Sequence, residues 1–451
     1  MENMIMGKRL NRGLSSVSLL GLVAFFLAGC SLFEKEKIPL KGERKVISAL
    51  DTSILKAQKG GGSVVVPLGS SVPAWTQTDL HPSHHKGSLA FANALKQRSV
   101  VWSRSLSSSD CDARLLATPI LTSDGGIILM GHRGEVICSD AQTGETRWQT
   151  PIAPSEKQSC PVLSGACAFQ GDRVFVASPY GELLALSPKT GEILWRKELS
   201  SPARNALTLA DGLVYVVTLQ NQLQAFEQDK GTLAWTHAGM PEGLGILGLA
   251  APAVDQGLLA VAYTSGEIYV LRAQTGHSVW SEILSGPRRL GEAQNMAHIR
   301  ANPVIVEGVL YVLTYNGQMV AFNLQNGRRL WEAPIGGTQT PVIAGETVFV
   351  LSGTQELVAL EKGTGQVLWV SRLSDLSGGA QGGGSWSGPL LAGGVLYVLS
   401  SEGVLMGLNP KDGTQMPGQI LGLSDRFSLP PIVVQDRLYA LSEGGSFSAI
   451  Q

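Results

Sequence analysis

The strongest constraint on this chain is a short hairpin that recurs along it. Its clearest copy is Ala185-Leu-Ser-Pro-Lys-Thr-Gly-Glu-Ile-Leu-Trp195, an apolar strand end, a polar turn at Thr190-Gly191 and a second strand closing on Trp195. Thr143-Gly144 leads in the same way to Trp148, Lys230-Gly231 to Trp235 and Thr275-Gly276 to Trp280. Asn326-Gly327 leads to Trp331 and Thr364-Gly365 to Trp369, while Asp412-Gly413 closes a copy with no Trp. Glycine takes positive φ at little steric cost, and a polar residue before it completes a hairpin signal. A unit of this size cannot bury its apolar face alone, so the repeat dictates the architecture.

One apolar strand recurs with the hairpin, centred on Leu129, Phe175, Tyr215, Ala260, Tyr311, Phe349, Tyr397 and Tyr439. The steps between these positions are 46, 40, 45, 51, 38, 48 and 42 residues, the period of a four-stranded propeller blade. Short Val-, Ile- and aromatic-rich runs between Gly-rich turns favour strands over helices. The eighth copy stops at Gln451 after its third strand, and an orphan strand, Ser99 to Leu106, stands upstream of the first. Trp102 of that strand lies 46 residues before Trp148, in register with the repeat. The reading is all-β: an eight-bladed β-propeller with four-stranded blades, its last blade closed by the N-terminal strand. Closure removes sheet edges that could pair with other chains. The Trp residues are expected to pack against neighbouring blades rather than to form a ligand-binding ring.

Ahead of the propeller, Lys8, Arg9 and Arg12 precede an apolar run, Val17 to Leu27, too short to span a bilayer comfortably. The run ends in Leu27-Ala28-Gly29-Cys30, which resembles a bacterial lipobox. That resemblance implies acylation of Cys30 as the mature N-terminus. Ser31 follows it where an Asp would resemble the inner-membrane retention signal, so the expected place is the outer membrane, facing the periplasm. Residues 30–74 read as a charged, Gly-containing tether and residues 75–451 as the propeller. The leader carries +2 in Glu2, Lys8, Arg9 and Arg12, so the full-chain charge of −1 becomes about −3 without it and nothing argues for nucleic acid.

Chemistry-bearing residues are sparse. His81-Pro-Ser-His84-His85 has no partner carboxylates at ligand spacing and reads as a solvated loop. Cys111 and Cys160 precede adjacent blades and could bridge, whereas Cys138 and Cys167 sit in apolar strands as small core residues. No P-loop is present, Trp386 occupies the nucleophile's place in Gly384-Ser-Trp-Ser-Gly388, and His132, His237, His277 and His298 are scattered. No catalytic residue, metal site or cofactor is expected.

The Thr-Gly-x-x-x-Trp repeat resembles the quinoprotein-type propellers over about residues 98–451. With the lipobox and the tether, the chain resembles the BamB family of outer-membrane protein assembly factors. Ile38-Pro-Leu-Lys-Gly-Glu-Arg44 and Ala74-Trp75-Thr-Gln77 are similar to the N-terminal extension of its alphaproteobacterial-type members. Asn302-Pro303-Val-Ile-Val306, leading to Tyr311 and Tyr315-Asn316-Gly317, is similar to the family's blade consensus. The resemblance implies a non-enzymatic periplasmic lipoprotein that binds the POTRA repeats of a BamA-type barrel insertase and assists outer-membrane protein folding. Unfolded client proteins are a further implied partner.

The family's insertase-gripping loops match Leu244, Ile246 and Leu247 ahead of Pro252, and His298 and Arg300 ahead of Pro303. The apolar positions are kept; Leu247 replaces an Arg, and His298 and Arg300 replace two acidic residues. Packing of Leu244 and Ile246 beneath the blade is the alternative. Two other functions compete. A pyrroloquinoline-quinone-dependent dehydrogenase would carry adjacent cysteines and a Glu/Asn/Asp set for calcium, and no two Cys are adjacent here. A generic propeller binding peptidoglycan or another periplasmic protein is the second.

Overall fold

In the computed structural model the chain is described at residues 55, 64–92, 97–106, 117–132, 134–153, 165–241, 250–284, 298–315, 317–376 and 384–451. The leader, Cys30, Cys111, Cys160, Leu244, Ile246 and Leu247 lie outside these residues. Among the described residues, eight four-stranded antiparallel sheets follow one another, each running from an inner strand outward. Blade 2 shows the pattern: Ala166–Gln170, Arg173–Ala177, Glu182–Leu186 and Ile193–Glu198. The second and third strands are buried on both faces, which is why they read as apolar runs, while the outer strand is largely exposed. Blade 8 takes Ile432–Val434, Arg437–Leu441 and Ser446–Ile450 from the C-terminus, and Val100–Ser105 completes it. Val100 pairs with Ile450 and Ser105 with Ser446, so the ring closes by the strand expected to close it.

The hairpin repeat is an inter-blade latch. The indole Nε1 of Trp148 donates to the Pro188 carbonyl of the next blade at 2.8 Å, three residues before Gly191. Trp195, Trp235, Trp280, Trp331 and Trp369 repeat this bond to Gln228, Ala273, Leu324, Lys362 and Pro410. Each indole also lies flat on the glycine of the turn it reaches. A Cβ at Gly276 would stand 2.5 Å from the Trp235 ring, and φ there is +71°. The glycine is therefore required twice, by its own backbone and by its neighbour's indole. Trp102 departs from the pattern: its Nε1 is buried with no hydrogen-bond partner among the described residues, and the side chain of Arg104, not an indole, lies against Gly144.

Residues 64–91 form a feature that composition did not announce. The inner strand of every blade has one edge facing the channel, with backbone groups that need partners. The N-terminal segment supplies them blade by blade. The Val72 carbonyl accepts from Gln435 of blade 8, and Trp75 exchanges two backbone bonds with Leu121 of blade 1. Thr76 serves Phe169 of blade 2, and the Gln77 side chain serves Leu209 of blade 3. Pro82 and Ser83 accept from Val254 and Ile305 of blades 4 and 5, and His85 meets the Ile343 carbonyl of blade 6. Leu89 bonds Leu391 and Gly393 of blade 7, and Ser70 pairs with the 88–90 stretch to finish the circuit. Val72, Trp75, Leu89 and Phe91 join one core cluster with blades 7, 8 and 1, while Val64 and Leu55 join two others. Leu55, Val64 and the 70–74 stretch, expected to belong to a tether, thus pack on the ring.

The latch makes a separable prediction. Gly276→Ala is expected to destabilise by about 2 kcal/mol or more, from positive φ plus the indole overlap. In a Trp235→Leu background, where the overlap is gone, the same change is expected to cost only about 1 kcal/mol. Urea unfolding of the four proteins measures the difference; strictly additive costs would mean the two residues do not press on one another.

Candidate functional site at the channel mouth and the rim of blades 3 to 5

The N-terminal segment floors a cavity of about 100 Å³ at the end of the channel where the inner strands begin. Two residues of the segment, Asp79 and Lys86, form a buried ion pair in that floor. Asn302 Nδ2 donates to the second oxygen of Asp79 at 2.6 Å, and the Ala251 amide donates to Asn302 Oδ1 at 2.8 Å. Burial alone would raise the Asp79 carboxyl, but the Lys86 ammonium, His84 and the two side-chain hydrogen bonds outweigh it and hold it below its ordinary value. Arg300, Thr118, Thr338 and Ser428 contribute to the walls.

Of the residues expected to grip a partner, the structure describes His298 and Arg300. His298 is buried, and its Nδ1 donates to the Thr264 carbonyl of blade 4 at 2.8 Å. Its own carbonyl accepts from the Tyr315 amide. Arg300 is half-buried in the cavity wall, where loss of solvent lowers its guanidinium from the ordinary value. His298 therefore belongs to the seam between blades 4 and 5, and Arg300 to the channel wall. At the same end of blades 3 to 5 the structure adds three exposed apolar side chains that sequence reasoning missed: Met240 (52%), Ile283 (53%) and Tyr315 (50%). Met240 follows the outer strand of blade 3, Ile283 ends that of blade 4, and Tyr315 sits between the second and third strands of blade 5. Their only signal was an apolar residue placed at or just beyond the end of a strand.

The histidine loop is corrected by the structure. His84 is 1% exposed rather than solvated, because the segment carrying it is drawn into the channel. Its Nδ1 donates to the Pro303 carbonyl at 2.8 Å, leaving Nε2 buried with no hydrogen-bond partner. Burial pushes its pKa below 6.5 against the opposing pull of Asp79 and the Pro303 bond, with Lys86 and His81 adding to the fall. The four scattered histidines serve structure: His132 bonds the Glu443 carbonyl, His237 the Tyr263 hydroxyl, and His277 the Thr275 hydroxyl, besides His298. Cys138 and Cys167 are buried and unbridged, as expected of small core residues, with burial pushing their thiols to about 11 and about 12.

A quinone with calcium does not fit these residues. Among the described residues no three His, Cys, Asp or Glu side chains cluster to hold a metal. The one carboxylate on the cavity, Asp79, is committed to Lys86 and Asn302. The cavity, at about 100 Å³, is also below the roughly 300–1,000 Å³ of cofactor-sized pockets.

A closed eight-bladed propeller of the quinoprotein type, its channel stoppered by its own N-terminal segment, is the class these features define. A family model described as "Outer membrane protein assembly factor BamB" matches residues 71–163, 132–371 and 336–451. The chain belongs to this family. It is 28% identical to the BamB of Yersinia pestis over 355 residues, covering 77% of this chain and 88% of that one. To the BamB of Escherichia coli (strain K12) it is 26% identical over 332 residues, covering 73% and 82%. The crystal structure of BamB from Moraxella catarrhalis superposes with a TM-score of 0.66 at 22% identity, over 78% of this chain and 99% of that one. A europium-containing methanol dehydrogenase reaches 0.63 at 13% identity, over 84% and 98%, a likeness of fold alone.

The buried histidine carries a pH signature. A group whose folded pKa is depressed leaves stability whole above its unfolded value and loses it as pH falls toward the folded one. Unfolding midpoints are therefore expected to drop as pH falls below about 6.5, since the unfolded chain takes up protons that the ring refuses. His85, also lowered chiefly by burial, contributes to the same fall. His84→Gln, which keeps a donor for Pro303, is expected to flatten the slope between about pH 6.5 and 5 without removing the His85 part. Parallel slopes for the two proteins would show that His84 titrates normally in the ring.

Proposed function

We propose that this chain is a non-enzymatic, lipid-anchored scaffold of the outer-membrane β-barrel assembly machinery, held by Cys30 on the periplasmic face of the outer membrane. In this reading it binds a BamA-type insertase through that protein's POTRA repeats and assists insertion of outer-membrane proteins. The observation that carries the reading is family membership spanning the propeller, residues 71 to 451. The stoppered channel and its committed carboxylate agree with a scaffold, since they leave the rim as the broad surface on which a protein partner can sit.

The contact is proposed at the rim of blades 3 to 5, with Leu244, Ile246 and Leu247 as apolar anchors and His298 and Arg300 behind them. Met240, Ile283 and Tyr315, exposed on the same rim, support this placement. His298 is proposed as a brace for the blade 4–5 seam rather than a surface contact, consistent with its bond to Thr264. Apolar anchors of this size contribute on the order of 1.5–3 kcal/mol each when buried.

Leu244→Asp with Ile246→Asp is expected to reduce co-purification of the insertase from mildly solubilised membranes to background, with the melting temperature unchanged. Retained co-purification would move the interface elsewhere, and a fallen melting temperature would mean that the two side chains pack beneath the blade. Cys30→Ala is expected to abolish palmitate labelling and to release the protein from the membrane. Labelling that persists in the variant would contradict the anchor.

A further inference from the structure

We propose that the cavity at the channel mouth is a carboxylate-binding site, with Arg300 as its anion-binding residue. The inference rests on how charge and hydrogen-bonding capacity are distributed around it. Three charged side chains line the cavity: Arg300, Lys86 and Asp79. Asp79 accepts from Lys86 on one oxygen and from Asn302 on the other, so its charge is committed to the floor. Arg300, half-buried in the wall, has no hydrogen-bond or ion-pair partner among the described residues. The lining side chains thus sum to one excess positive charge, carried by a guanidinium with its donors unspent.

A cation withdrawn from water and left unpaired is destabilising, and one negative charge placed against it removes the penalty. The planar guanidinium fork matches the two oxygens of a carboxylate. A monoanion neutralises the cavity, whereas a phosphate dianion would restore an excess charge of the opposite sign. The remaining walls offer hydroxyls for the same ligand. Thr118, Thr338 and Thr340 line the space, and the Ser428 Oγ is buried there with no partner. About 100 Å³ admits a carboxylate on a short stem and little more. The N-terminal segment blocks the other end of the channel. Two sources share this chemistry, a free small carboxylic acid and the C-terminal carboxylate of an extended polypeptide.

The test uses the full-length purified protein without the insertase, so its outcome is independent of the docking reading. Carbon-13-labelled acetate is titrated by ligand-observed NMR, with inorganic phosphate and a short peptide, as free acid and as C-terminal amide, as competitors. Saturable acetate binding in the millimolar range is expected. Arg300→Gln is expected to weaken it on the order of 10- to 100-fold, and Arg300→Lys to retain an intermediate affinity. Ser428→Ala, which removes a single hydroxyl, provides a second, smaller loss should Arg300→Gln disturb folding. A free-acid peptide that competes better than acetate, while its amide does not compete, identifies a polypeptide terminus as the source. Equal competition by peptide and acetate identifies the small acid. Absence of saturable acetate binding, affinity unchanged in both Arg300→Gln and Ser428→Ala, or displacement by phosphate at lower concentration than by acetate overturns the proposal.

Discussion

The ring depends on an indole that each neighbour's glycine admits. Between blades 1 and 7 the contact recurs six times, always an outer-strand Trp lying on the next turn and donating to the carbonyl three residues before its glycine. It joins apolar burial to a satisfied N–H in one side chain, which is why Trp holds the position. Its reach along the chain is short, 40 residues from Trp148 to Pro188, so most of the ring is assembled from neighbour contacts, as in other repeat proteins. Blade 8 is the exception, because its outer strand comes from the far end of the chain. There the Trp102 Nε1 is buried without a hydrogen-bond partner among the described residues, and the Arg104 side chain takes the indole's place against Gly144 of blade 1.

The channel presents the opposite problem from the outer wall. Eight inner strands would leave eight edges facing an empty core, and buried backbone groups without partners are destabilising. One segment meets all eight in a single circuit, from Val72 on blade 8 to Leu89 on blade 7. Where its path tightens, Asp79, Leu80 and His84 take positive φ, and the Lys86–Asp79 pair with Asn302 fixes the bend to blade 5. The same network builds the floor of the cavity, so the stopper and the candidate ligand site are one construction.

Legibility followed periodicity. The four-residue spacing from Gly to Trp, the 38- to 51-residue step between equivalent strands and the register of Trp102 with Trp148 all repeat, and they led to the blade count and the closing strand. The N-terminal stopper left no such trace. Its bonds run mostly through backbone, to partners such as Pro303 at a distance of 219 residues from His84, so polar residues stand where burial rules would place apolar ones. His84 consequently read as solvated. Arg300 was legible as a residue near a blade start, but its position on the channel wall depends on how His298 and Asn302 are pinned on either side, by Thr264 and by Asp79 with Ala251. The exposed apolar side chains at Met240, Ile283 and Tyr315 looked like strand ends because alternation does not reveal which face a rim residue shows.

The closing strand also imposes an order on synthesis. Ser103 bonds Ser448 across 345 residues, and the strand it lies in emerges before any complete blade. Until Ser446 to Ile450 exist, that strand and the second strand of blade 8 each keep an open edge. Contacts of such separation form late, after the loop between them has lost its entropy. A chain without Ser446 to Ile450 therefore holds seven finished blades and one unjoined seam, so closure is the last event the ring awaits.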